Sequence, residues 1–196
     1  MANTTMRALA INGSARKGGN TAYLLGRALE GLQNEGFHTE LIELGGTNLK
    51  GCTACRSCFK NKNKRCIQED DRLNEILAKM IEADAILIGS PTYFADVSSG
   101  TKALIDRAGY VARANDDLFS RKVGAAVVMM RRAGAIHAFD TINHFFLIGG
   151  MFVAGSTYWN VGLGREIGDV EKDTEALATI DALSANISWL VKRVKG

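Results

Sequence analysis

All four cysteines of this chain fall between Cys52 and Cys66, in the pattern C-x2-C-x2-C-x7-C. Thiols at every third position, with a fourth one short loop further on, can converge on one inorganic centre, as a cysteine-ligated iron-sulfur cluster requires. Two other chemistries compete for them. Zinc also takes four such ligands, but usually as two separated pairs rather than one compact triplet, and a loop of redox-reactive thiols needs no metal at all. Disulfides are disfavoured: the stretch MANTTMRALAINGSARKGG lacks an apolar signal region with a cleavage site, so the expected setting is a reducing cytoplasm.

The cysteine stretch is also basic. Lys50, Arg56, Lys60, Lys62, Lys64 and Arg65 lie within it, no acidic residue occurs between Leu44 and Gln68, and without these six the net charge of +3 would be −3. Cations stabilise thiolates and clusters, and a basic face suits an acidic redox protein, although each lysine alone is equally a solvated surface residue. Phe59 alone interrupts the run as a stacking aromatic, which argues against nucleic acid. His38, His137 and His144 form no motif with one another or with the cysteines.

Elements must hold these residues in place. The chain has 196 residues, 46% hydrophobic and 23% charged, enough for one well-buried core without help from a metal. No repeat, linker or low-complexity tract divides it, and Pro91 is its one proline, so a single domain over 1–196 is expected, with a cysteine-rich loop at about 45–70. No apolar run nears the roughly 20 residues that span a bilayer. Short apolar runs predict strands at 7–12, 38–44, 85–90, 123–130 and 151–157. Amphipathic patterns predict helices at 21–35, 71–83, 100–114, 136–148 and 173–194. Strands apolar on both faces, such as AILIG and AAVVMM, suit a parallel sheet covered on both sides. The expected fold is α/β, a doubly wound five-stranded parallel sheet of order 2-1-3-4-5, with ligands at the carboxyl ends of its strands.

Three loops should meet at that edge. After the first strand, Gly13 to Thr21 combines glycines, including Gly19, with Ser14, Asn20 and Thr21 as donors and Arg16 as a clamp, at a helix N-terminus. This composition suits a phosphate seat, with Asn20 as the helix cap the alternative reading. After the third strand, Pro91 stiffens a backbone that could offer the N–H groups of Thr92 to Ala95 to a planar polar ring, with Tyr93 or Phe94 as an apolar wall. Either aromatic packs equally well into a core. After the fourth strand, Arg131, Arg132 and Gly134 place cations and a flexible turn at the same edge. These arginines suit a reduced flavin, a nicotinamide phosphate or surface ion pairs alike.

GSARKGGNT after strand one, the compact cysteine loop after strand two and SPTYFADVSSGTKALIDR after strand three resemble the iron-sulfur flavoproteins within the NADPH-dependent FMN reductase group of flavodoxin-like folds. The resemblance extends to about Thr157. It implies that Ser14, Arg16, Asn20 and Thr21 hold the FMN phosphate, that Pro91, Thr92, Tyr93, Phe94 and Ala95 line the isoalloxazine, and that Arg132 to Gly134 closes over it. It implies further that Cys52, Cys55, Cys58 and Cys66 ligate a four-iron four-sulfur (4Fe-4S) cluster, and that the protein is a homo-oligomer, at least a dimer, with the cysteine loop near the interface. The chain departs in its cysteine gap of seven and in Ala133-Gly134, where a glycine pair is often found. Asp106 and Arg107 match a pair common in the family and are taken as helix structure.

The expected function is FMN-dependent electron transfer through the cluster to a one-electron carrier such as ferredoxin. Two rivals are an NAD(P)H-dependent FMN or quinone reductase whose cysteines bind nothing, and a thiol or metal redox sensor.

Overall fold

Strands that are buried on both faces form the centre of the molecule. In the computed structural model, which describes residues 5–195, these are β1 (Arg7–Asn12), β3 (Ala85–Pro91) and β4 (Val123–Met130). The remaining strands are β2 (His38–Glu43), β5 (Phe152–Val153) and β6 (Val161–Leu163). All pairings are parallel, in the expected order β2-β1-β3-β4-β5, with β6 also pairing with β4. The helices are α1 (Asn20–Asn34), α2 (Ser57–Asn61), α3 (Leu73–Glu82), α4 (Ser99–Ala114), α5 (Ala135–Ile148) and α6 (Thr174–Lys195), with a 3-10 turn over Asp169–Lys172.

The period-two alternation of β1 divides the core into two layers. Leu9 and Ile11 pack with Leu73, Leu77, Leu104 and Phe146 of α3, α4 and α5. Ala8 and Ala10 pack with Leu24, Leu25 and Leu32 of α1 and with Leu183 and Ile187 of α6. Small residues on the second face let the helices approach closely. Gly31 of α1 shows why: a Cβ there would stand 2.8 Å from that of Ser184 on α6.

Two sequence expectations need correction. The predicted strand at 151–157 is confined to Phe152–Val153, and pairing with β4 resumes only at Val161, in a strand the sequence reading missed. Side chains take over in between. Asn160 Nδ2 donates to Ala126 O (3.0 Å), while Ser156 Oγ donates to Asn160 Oδ1 (2.6 Å), leaving Tyr158 and Trp159 exposed. The cysteine-rich connection also contains a helix, α2, and α3 begins at Leu73 because Asp71 Oδ1 instead accepts the Leu73 N–H (3.1 Å) in a turn. Among the described residues, no helix is long and apolar enough to cross a membrane.

Candidate functional site

The carboxyl ends of β1, β3 and β4 open on a cavity of about 260 Å³. Ser14, Arg16, Gly19, Asn20 and Thr21 form one wall, and Pro91, Thr92 and Tyr93 form another. Helix α1 starts there behind Gly19, with no side-chain cap and no acid in its first turn. Its free N–H groups and positive dipole end therefore remain available to an anion. Ser14 is buried and fixed, its N–H donating to Asn12 Oδ1 (3.0 Å) and its Oγ accepting the Arg16 N–H (3.1 Å).

Asn20 does not cap the helix. Its Nδ2 donates to Glu166 O (2.8 Å) and its Oδ1 accepts the Gly168 N–H (2.9 Å). Arg16 Nη1 adds a bond to Arg165 O (2.8 Å). These bonds draw the segment after β6 to the loop after β1, so Gly164, Arg165 and Ile167 join the cavity wall. The sequence reading missed them because it missed β6.

The loop after β3 is held at both ends. Thr92 N–H donates to Met129 O (2.7 Å), and Tyr93 and Asp96 exchange backbone bonds of 2.8 and 3.0 Å across a left-handed tip, Phe94 (φ 49°) and Ala95 (φ 64°). Thr92 Oγ1 is shielded from solvent and has no hydrogen-bond partner. An unsatisfied group in a cavity wall is what a polar ligand would relieve. Asp96 Oδ1 accepts from Val97 N–H (2.7 Å) and Thr141 Oγ1 (2.8 Å). Burial disfavours the Asp96 carboxylate, but those donors and nearby His137 outweigh it and hold its pKa below the usual range.

The four thiols, all free, line a second and much smaller cavity, of about 20 Å³. That is room for about one water, and the 51–56 segment beside it is exposed. The backbone here is strained: Ala54 (φ 52°), Arg56 (φ 58°), Lys62 (φ 48°) and Lys64 (φ 60°) all adopt the left-handed conformation. Each costs a non-glycine residue about 1–3 kcal/mol, and such residues gather at functional sites. Among the described residues, no three His, Cys, Asp or Glu side chains converge on a single-ion site. A cubane asks for less convergence, because each of its thiolates binds a different iron. Four thiols bordering one cavity are the donor set that a cluster would take.

Cys66 is the most firmly held of the four. Its N–H donates to Asn74 Oδ1 (2.8 Å) and its carbonyl accepts from Asn74 Nδ2 (2.9 Å). Its sulfur accepts from Arg107 Nε and Nη2, each at 3.4 Å. Arg107 is almost fully buried on α4, and its other N–H groups go to Lys50 O (3.2 Å), Gln68 O (3.0 Å) and the Asp71 carboxylate, so all five donors are engaged. Burial works against this guanidinium, but Asp71 and Cys66 keep its pKa raised. The other thiols diverge: hydrogen bonds from Ser57 and Thr53 lower the pKa of Cys55, whereas burial raises that of Cys58.

One helix joins the two sites. At the start of α4, Ser98 Oγ donates to Gly13 O (2.6 Å) and contacts Thr101 Oγ1 (2.9 Å), under the loop after β1. Arg107 stands six residues beyond Thr101, about 9 Å along the axis.

The profile of the NADPH-dependent FMN reductase family matches residues 6–166. The chain belongs to this family. An iron-sulfur flavoprotein of Methanocaldococcus jannaschii is 37% identical over 97% of this chain and 100% of that protein, and one of Methanosarcina thermophila is 32% identical over 97% of each. Among solved structures, a WrbA-like flavodoxin from Agrobacterium tumefaciens aligns with TM-score 0.66 at 13% identity, covering 96% of this chain and 99% of that one. A flavodoxin from the domain Archaea aligns with TM-score 0.63 at 19% identity, covering 95% and 99%. These two likenesses show the flavodoxin-like fold.

As a member of the NADPH-dependent FMN reductase family, the protein is a flavin-dependent oxidoreductase. The large cavity gathers Ser14, Arg16, Gly19, Asn20, Thr21, Pro91, Thr92 and Tyr93 as expected from the sequence, but not all the residues assigned to it. Phe94 is fully exposed at the tip of its loop, and Ala95 packs against Gly134, where a Cβ would lie 3.2 Å from the Ala95 Cα. Both therefore stand outside the lining. The turn after β4 carries Arg132 into solvent, and Arg131 lines the cavity in its place, with Met129 and Met130. Arg107 is a buried charge beside the thiols that sequence reasoning set aside as helix structure. A signal existed, since it falls between Leu104 and Val111 on the buried stripe of α4, where a charge needs a partner.

Proposed function

We propose that this oxidoreductase transfers electrons between FMN in the cavity at the carboxyl ends of the strands and a 4Fe-4S cluster held by Cys52, Cys55, Cys58 and Cys66, and on to a one-electron carrier such as ferredoxin. The observation that carries the reading is that all four thiols line one cavity against α4, the helix that also underlies the phosphate loop. FMN supplies hydride or stepwise electron exchange when bound, and a cluster supplies single-electron exchange. The chain's own residues bind and orient. Ser14, Thr21 and the open start of α1 take the phosphate, Arg16 adds charge, and Pro91 to Tyr93 with Met129 form the walls at the ring. No side-chain acid, base or nucleophile is needed.

The six cations of the cysteine loop favour an acidic protein partner. We further propose a homo-oligomer, at least a dimer. An apolar groove of about 590 Å³ between α4 and α5, lined by Tyr110, Phe145 and Ile148, reaches Phe59 beside the thiols and would be covered by a second copy. Free thiols in this number suit a reducing compartment, the cytoplasm.

The small volume at the thiols favours one alternative, an NAD(P)H-dependent FMN or quinone reductase with metal-free cysteines. Anaerobically prepared protein, reconstituted and assayed for iron, sulfide and FMN on one sample, decides between them. Iron and sulfide each near four per FMN support the cluster. FMN without iron supports the reductase, and protein that takes up neither overturns both.

A further inference from the structure

We propose that Arg107 is a positioning residue that sets the reduction potential of the centre held by Cys66, through two N–H···S hydrogen bonds from one buried guanidinium. The inference rests on the cluster reading above and extends it to a side chain that would not itself be a ligand.

Structural bracing alone would not require this arrangement. A hydrogen-bonded core residue would serve to hold the loop, yet here a permanently charged group is buried and turned with two of its donors on a single sulfur. The rest of the fork is anchored by Lys50 O, Gln68 O and Asp71. Asp71 is itself fixed by the N–H groups of Lys50 (3.1 Å) and Leu73 (3.1 Å), so the guanidinium is held on every side. The sulfur is equally constrained, because Asn74 pins the backbone of Cys66.

Donors and positive charge at a ligand sulfur favour the state with one more electron. Asp71 acts in the opposite sense, as a negative charge in direct contact with the same guanidinium. Arg107 and Asp71 thus form a pair of opposed controls on one ligand. Loss of the first should make the centre harder to reduce, and neutralising the second should make it easier. A purely mechanical role predicts no such opposition.

The test is an EPR-monitored redox titration of the anaerobic holoprotein, with iron quantified for each variant. Arg107→Lys keeps a positive charge but loses the two-pronged contact. It is expected to retain iron and to shift the reduction equilibrium at least tenfold toward the oxidised state, about 59 mV for a one-electron couple. Asp71→Asn is expected to shift it toward the reduced state. An iron-loaded Arg107→Lys protein with unchanged potential, or two variants shifted in the same direction, overturns the proposal. Should neither variant hold iron, protein labelled with 15N-arginine decides the matter without altering either residue. The label is used in an Arg56→Lys background, because Arg56 also borders the thiols. Hyperfine coupling from guanidinium nitrogen to the reduced centre is expected, and its absence overturns the proposal. Wild-type protein that takes up no iron would instead defeat the cluster reading on which the proposal stands.

Discussion

Asn20 and Gly168, 148 positions apart in sequence, are joined by a 2.9 Å hydrogen bond from the glycine N–H to the asparagine Oδ1. The other end of the same amide donates to Glu166 O. A backbone carbonyl can only accept and a backbone N–H can only donate, so these partners also fix which way the amide faces. Asn20 thereby ties the segment after β6 to the wall of the cavity at the carboxyl ends of the strands.

Asn20→Ala removes both bonds and should release that wall. Two neutral hydrogen bonds are worth about 1 kcal/mol each, so FMN affinity should fall roughly tenfold or more while the fold persists. Fluorescence titration of apoprotein with FMN measures this, and unchanged affinity would show that the tie is decorative.

Arg16 has one donor on Arg165 O and a charge facing the cavity. Arg16→Ala should weaken FMN binding by about ten- to a hundredfold, the range for a charged hydrogen bond. Riboflavin, which has no phosphate, is the control. Its affinity should change little, and an equal loss for both ligands would move Arg16 away from the phosphate.

Gly13 is needed for packing more than for its backbone freedom. A Cβ there would overlap Thr101 Oγ1 and lie 3.0 Å from Gly89 O. Gly13→Ala should therefore push α4 from β1 and destabilise the protein by about 1–3 kcal/mol, the usual cost of overpacking. Urea denaturation gives the value. Thr101→Ser, which keeps the hydroxyl, should not rescue it.

Asp96 supplies a pH dependence with a definite sign. Its folded pKa lies below the ordinary value, so its contribution to stability is present above about pH 3.9 and is lost as pH falls through the folded pKa. Asp96→Asn should melt below wild type at pH 6, and the gap should narrow as pH falls below about 3.9. A gap that is constant with pH would mean that the charge of Asp96 plays no part. The side chain is 41% exposed, so the effect should be small.

What the sequence revealed follows from how local each signal was. The thiol spacing, the central apolar strands and the glycine-rich turn before α1 are patterns within short windows; the structure places β1, β3 and β4 and that turn as expected and brings the four thiols to one cavity. The sheet order is an expectation at the level of the fold, made from the count of strands, and the observed order agrees with it. Asn20 was assigned to phosphate or to a helix cap because its actual partners lie past a three-residue strand with little periodicity. Gly13 was attributed to anion approach because Thr101 is distant in sequence. Arg107 was set aside as helix structure, although its place among Leu104, Ala108 and Val111 marked it as a buried charge.

Helix α4 runs from Thr101 to Arg107 as TKALIDR, with neither glycine nor proline inside that interval. A rod of this kind changes length very little under thermal motion, so the span from the loop after β1 to the Arg107 contact with Cys66 is set by the helix rise. Electron tunnelling falls steeply with distance. For the electron transfer proposed above, a spacer fixed in this way would let Arg107 and Asp71 change the driving force while the span stays constant.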